Sequence, residues 1–154
     1  MRVHVNLRRA VPENIEACAA LRGQTCENAI SIDQLVAMGI TIQSWAEEVE
    51  SGLLTGYVCV DRASIVGFCF GENASGEVLV LALLPAYENC GIGRRLLRAV
   101  VGQLSAQGHK GLFLDCNADP GTRAHGFYRH LGWASTGTFD QRGDEILELF
   151  PPLN

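Results

Sequence analysis

The segment Pro85-Ala-Tyr-Glu-Asn-Cys-Gly-Ile-Gly93 gathers the residue types that let a backbone hold an anion. Gly91 and Gly93 lack a β-carbon, so the main chain there can come close to a ligand. An apolar run, Glu77–Leu84, precedes the segment, and the clearest helical pattern of the chain, Ile92–Gln107, follows it. A helix starting at that point aims unpaired N–H groups and the positive end of its dipole into the turn, an arrangement suited to phosphate. Arg94, Arg95 and Arg98 fall in the first turns, where cations oppose the dipole unless a bound anion reverses the balance. Taken alone, these residues leave two readings: a phosphate cradle, or a tight turn beside solvated arginines. They form no P-loop, because no Gly-Lys-Ser/Thr follows. Nor do they make a dinucleotide fingerprint, because the third glycine is missing and the glycines lie far from the first β-α unit.

Other reactive groups are scattered. Glu77, at the start of the apolar run, is a candidate base. Cys18, Cys26, Cys59, Cys69, Cys90 and Cys116 occur singly, with no CxxC pair and no Cys/His cluster at zinc spacing. They read as reduced thiols, and no metal site is expected. Cys90 lies in the glycine turn, but no partnered histidine supports a nucleophilic role. Asn117 either contacts a ligand or makes an Asx turn ahead of Pro120. Trp45, Tyr57, Phe68 and Phe70 are expected to be substrate-cleft or core aromatics, most of them core.

The elements that must position these groups follow from period and punctuation. Residues 3–9 alternate as a strand with one apolar face. Pro12 opens a helix, a polar connection runs from Gly23 to Asn28, and a second helical region covers Ile32–Glu50 with a break near Gly39. Ser44 with Glu47 is expected to cap its later half. Gly56–Asp61 and Ser64–Gly71 flank a short turn and read as a hairpin. Glu77–Leu84 is continuous enough to suggest a strand buried on both faces. The next helix carries one stripe of Leu96, Leu97, Val100, Val101 and Leu104. A short strand (Gly111–Cys116), a helix (Thr122–Leu131) and two closing strands (Trp133–Phe139, Glu145–Phe150) complete the order.

Two motifs in this order resemble the GCN5-related N-acetyltransferase (GNAT) family. Leu81–Leu97, LALLPAYENCGIGRRLL, is similar to that family's acetyl-CoA-binding motif. Ala124–Trp133, AHGFYRHLGW, is similar to its second motif, with the strand LFLDC between the two. The resemblance implies an α/β (α+β) GNAT fold: a mixed central sheet of about seven strands flanked by about four helices, one domain over residues 1–154. It implies a cofactor site in which the backbone of Leu81, Ala82 and Leu83 pairs with the pantetheine arm, and the amides of Asn89, Cys90, Gly91, Ile92, Gly93 and Arg94 cradle the pyrophosphate, with Asn117 nearby. The loop departs from the family pattern at Glu88, Asn89 and Cys90, where Gln or Arg, Gly and a basic residue are usual.

The resemblance also assigns catalytic roles. Tyr128 becomes the general acid for the departing thiolate. With an ordinary pKa of about 10 it would be a donor at neutral pH, and its titration would shape the alkaline limb of the rate. Asp115 corresponds to an acid found there in some members, so Asp115 and Glu77 are the candidate bases. The implied activity is acetyl transfer from acetyl-CoA to a primary amine, on a small molecule, a peptide N-terminus or a lysine, by direct attack and without a metal. The competing reading is a CoA-binding sensor or interaction module without turnover. Acceptor choice is expected to lie with Gly23–Trp45 and Thr138–Asp144.

Composition fits this. The chain has 154 residues, 47% apolar and 19% charged, enough for a real core. Its 12 basic and 17 acidic residues give a net charge of 12 − 17 = −5, so no general attraction for nucleic acid or anionic lipid is expected. No apolar stretch approaches membrane-spanning length, and the first residues lack a signal-peptide pattern, so the expected place is the cytoplasm. A homodimer is compatible with this reading.

Overall fold

The computed structural model describes residues 5–151. Seven strands are present: β1 (Asn6–Arg9), β2 (Leu54–Asp61), β3 (Ser64–Glu72), β4 (Val78–Leu83), β5 (Leu112–Cys116), β6 (Ala134–Phe139) and β7 (Glu145–Leu149). Residues 3 and 4 of the expected first strand lie outside the described residues. Five α-helices, rather than about four, accompany them: α1 (Ile15–Arg22), α2 (Ile32–Ala37), α3 (Ile42–Ser51), α4 (Ile92–Ala106) and α5 (Arg123–His130).

The extra helix comes from the break at Gly39. Two capping boxes make α2 and α3 separate elements. Ser31 pairs reciprocally with Gln34 at α2, and Thr41 with Ser44 at α3. The cap of α3 is therefore Thr41, not Ser44 with Glu47; Ser44 instead donates its backbone N–H to Thr41 Oγ1 at 2.9 Å.

The strands form two sheets, β1-β2-β3-β4 and β5-β7-β6, with every neighbouring pair antiparallel. Backbone contact between the sheets is confined to a parallel bridge, Glu77 to Phe113, next to a 3.3 Å bond from the Phe113 N–H to the Gly76 carbonyl. Pairing then stops. Phe70 faces Val80 and Gly71 faces Val78, so Leu79 is an extra residue on β4. A bulge bends its strand, and β4 here leaves β5. The expectation of a strand buried on both faces fails for this reason. Val78 and Ala82 are buried, but Leu79 is 44% exposed and Val80, Leu81 and Leu83 are half-buried along the gap.

Two apolar cores hold this shape. Ile92, Leu96, Leu97, Val100 and Leu104 of α4 pack on residues of both sheets, including Val66, Cys69, Leu112, Leu114 and Leu147. Full burial of each such side chain stabilises the fold by about 1.5–3 kcal/mol, so α4 is the main apolar tie between the sheets. The second core joins α1 and α3 to the four-stranded sheet. Trp45 meets Phe68 and Phe70 there edge-on, and the two phenylalanines are tilted against each other, with centroids 5.3–5.8 Å apart.

Candidate active site

Where β4 and β5 diverge, a cavity of about 540 Å³ opens. One wall is β4, Val78–Leu83. The other is the end of β5 and the residue after it, Leu114–Asn117, with Thr122, Arg123, Ala124, Phe127 and Tyr128. Thr25–Asn28, Glu88 and Asp144 form the rim, and Arg22 reaches in from the end of α1.

The glycine turn closes one end. Gly91 caps α4 with φ +80°, and Asn89 has φ +61°; both lie in the left-handed region. No side chain caps the helix, and the first described intrahelical bond at this end runs from the Arg95 N–H to the Gly91 carbonyl. The N–H groups of Ile92, Gly93 and Arg94 belong to the first turn, which has no intrahelical partner for them. A β-carbon on Gly91 would meet no protein atom within 4 Å, so the space before these amides is open to a ligand. At Gly93 the constraint is contact rather than open space, since a β-carbon there would come 3.3 Å from Leu83 Cδ1 and 3.5 Å from Phe127 Cζ. Its small size lets α4 lie against both walls. The Ile92 side chain is buried, so only its backbone serves the turn, whereas Arg94, Arg95 and Arg98 are exposed. Cys90 is also exposed, and its thiol donates to the Glu88 carbonyl at 3.4 Å.

The acid in this turn has a partner with no counterpart among the sequence motifs. Arg123, the first residue of α5, makes an ion pair with Glu88 and donates to Asn89 Oδ1 at 3.1 Å. Its own backbone N–H donates to Glu27 Oε1 at 2.9 Å. A cation at a helix N-terminus opposes the dipole; here two carboxylates, Glu27 and Glu88, offset that. The only signal in sequence was an arginine opening a helix with no acid in its first turn.

Tyr128 is half-buried on the second wall, edge-on to Phe127 and to Trp133 with centroids 5.1 and 6.1 Å away. Burial first, then the Cys69 and Cys116 thiols, push its phenol far above the ordinary value, while the Arg22 guanidinium opposes this. The hydroxyl is therefore in its donor form at neutral pH, and it gives up its proton at higher pH than an ordinary phenol.

Asp115 lines the cavity on β5. Burial, a hydrogen bond to the Asp140 carboxyl and the charges of Asp140 and Asp144 raise its pKa, against a smaller opposing effect of Arg142. Asp140 moves the other way, held down chiefly by that bond from Asp115. Its Oδ1 also accepts the N–H groups of Arg142 and Asp144, each at 2.9 Å. The two carboxyls titrate as a coupled pair, with a proton held more firmly at Asp115 than at Asp140. Glu77 is not on the cavity wall. It sits at the bridge, where burial and then the charges of Asp115 and Glu72 raise its pKa. Asn117 is at the wall, and its Oδ1 accepts the Asp119 N–H at 2.9 Å, so the Asx turn is real and coexists with a place in the cleft. Asp140, Arg22 and Arg123 were missed because each comes from a segment distant in sequence.

The family model for the acetyltransferase (GNAT) family matches residues 23–133, which include both motifs and most of the cavity wall. The chain belongs to the GNAT family. Solved GNAT structures share its fold. The PaiA N-acetyltransferase of Thermoplasma acidophilum, crystallised with coenzyme A, is 20% identical with a TM-score of 0.81, covering 97% of this chain and 100% of its own. YncA of Salmonella typhimurium, a putative acetyltransferase crystallised with its cofactor acetyl-CoA, is 14% identical with a TM-score of 0.77, covering 98% and 96%. The Escherichia coli ribosomal-protein-S18-alanine N-acetyltransferase is 16% identical with a TM-score of 0.72, covering 98% and 96%. No curated protein matches the chain in sequence. This GNAT chain has, among its described residues, no group of three His, Cys, Asp or Glu residues placed for a metal and no helix long and apolar enough to cross a membrane.

Proposed function

We propose that the chain is an acetyl-CoA-dependent N-acetyltransferase that serves a primary amine by direct attack within one ternary complex. The observation that carries this reading is the union, in one cleft, of a side-chain-free helix N-terminus at Gly91 with Tyr128 on the facing wall. Acetyl-CoA supplies the activated acetyl thioester. The amides of Ile92, Gly93 and Arg94 donate to its pyrophosphate, and the Glu88–Arg123 pair keeps the acid of the turn neutralised. The unpaired edge of β4 at Leu81–Leu83 hydrogen-bonds the pantetheine amides. Tyr128 donates a hydrogen bond to the sulfur as the acetyl group leaves.

The Asp115–Asp140 pair accepts the proton that the amine loses. Asp115, whose pKa is raised, is the more basic of the two carboxylates and takes that proton when ionised. Glu77, off the wall, takes no proton directly. The acceptor is a small molecule, a peptide N-terminus or a lysine, and it enters between Thr25–Asn28 and the β6–β7 turn. The whole chain works as a single domain in the cytoplasm. Release of free CoA in a panel of primary amines tests the proposal. CoA binding without turnover on any amine would point to a sensor module instead.

A further inference from the structure

A departing thiolate needs its charge met inside the cleft. The charged lining of the cavity is mostly acidic, with Glu27, Glu88, Asp115 and Asp144 against Arg22 and Arg123. Negative neighbours raise a thiol's pKa and disfavour its anion. Tyr128 can hydrogen-bond the sulfur, but a phenol that holds its proton so firmly surrenders it reluctantly.

Two cations line the cavity, Arg22 and Arg123. Arg123 is engaged by Glu88 and Asn89 at the glycine turn. Arg22 is different. It ends α1, is half-buried, and makes no ion pair among the described residues. Its hydrogen bond goes from Nη1 to the Asn28 carbonyl at 2.5 Å. A guanidinium carries five N–H donors in a planar fork, so most of its capacity is unused. It is close enough to Tyr128 for its charge to act on the phenol, and burial draws its own pKa down while leaving it charged. Stabilising an α1 C-terminus accounts for a cation at this position, but not for one turned into the cleft beside the tyrosine.

We propose that Arg22 is a catalytic residue that carries the negative charge of the CoA thiolate as it departs. The proposal rests on the acetyl-transfer reading above. As the amine nitrogen bonds to the acetyl carbon, the C–S bond breaks and its electron pair goes to sulfur. The amine proton passes to the Asp115–Asp140 pair. The sulfur leaves as an anion between the Arg22 guanidinium and the Tyr128 hydroxyl, and takes a solvent proton on release. No redox partner is needed.

The test is a spectroscopic titration of CoA bound to the whole protein, following the ultraviolet absorbance of the thiolate. Calorimetry with CoA and with desulfo-CoA runs beside it. In the unaltered protein the bound thiol should ionise at lower pH than free CoA. Arg22→Met should return ionisation to the free value or above, and Arg22→Lys should fall between. Preference for CoA over desulfo-CoA should grow with pH in the unaltered protein and vanish in Arg22→Met. Equal desulfo-CoA affinity in both shows that the cleft is intact. Arg22→Met should also lower kcat by about 100-fold, as loss of one preorganised donor does. A bound thiol that ionises alike in the unaltered protein and Arg22→Met, with desulfo-CoA still bound, overturns the role of Arg22 and leaves the cleft reading standing. If the unaltered protein binds neither ligand, the cleft reading falls, and this proposal with it.

Discussion

The two ends of the cleft are built from different material. On the proposed reading, the working groups at the β4–α4 turn are backbone amides, aimed by a glycine and a helix dipole. At the β5–α5 wall they are side chains: Tyr128, Arg22 and the Asp115–Asp140 pair, drawn from four separate segments. Backbone chemistry needs only local geometry. Side-chain chemistry needs a tertiary arrangement and neighbouring charges to tune it. The first end should therefore fail all at once, and the second by degrees.

Gly91→Val sharpens this most. A β-branched residue at φ +80° is strained, and its side chain would fill the open space before the amides. CoA affinity should fall more than about 100-fold, since several charge-assisted bonds go together, while circular dichroism reports a folded protein. Wild-type affinity in calorimetry would remove the backbone end from the comparison.

Tyr128→Phe comes next. It keeps the ring contacts with Phe127 and Trp133 and removes one donor. The value of kcat should drop about 10- to 100-fold, with CoA affinity held. Because the phenol is raised far above its ordinary value, the alkaline limb of the pH–rate profile should be the same in both proteins. A limb that disappears in the variant would mean that Tyr128 does titrate.

Arg123→Met should weaken CoA about 3- to 10-fold, the scale of an exposed charge pair, because Glu88 would then face the pyrophosphate unpaired. Adding Glu88→Gln should restore most of the loss. A double variant as weak as the single would show that Arg123 contacts the phosphates itself.

Asp140→Asn has the subtlest signature. Asp115 is raised above the usual carboxylate range partly by the Asp140 carboxyl, so removing that charge lets Asp115 ionise at lower pH. A base that works when ionised gains activity as pH rises through its pKa, so the acidic limb of kcat/KM should move to lower pH. An unmoved limb would assign the base elsewhere.

The same division governs what could be read from the chain. The strand, the glycines and the apolar stripe of α4 are neighbours in sequence, so their periods and punctuation disclosed the strand–turn–helix unit and, with AHGFYRHLGW, the fold. The bulge at Leu79 left no mark, because it is a relation between β3 and β4 and not a property of Leu79. The Glu88–Arg123 pair spans 35 residues and the Glu27 cap of α5 spans 96, so neither has a local signature. The raised pKa of Asp115 depends on a turn whose Asp140 is tied down by its own backbone neighbours. Thr41 displaced Ser44 as a cap because its own hydroxyl could accept the Ser44 N–H once Gly39 had ended the preceding turn.

The bridge between Glu77 and Phe113 has a mechanical consequence. The two sheets pair by backbone at this bridge and are otherwise tied mainly by apolar side chains around α4, so the seam carries fewer backbone bonds than the strand pairs on either side of it. Amides along the free edge of β4 should exchange with deuterium long before those bonded to β3, through openings far smaller than global unfolding. A ligand lying along that edge acts as a missing rung. At 100 times its dissociation constant it adds about 2.7 kcal/mol to the bound form, delivered at the seam, so exchange should slow there first and the two sheets should melt as one.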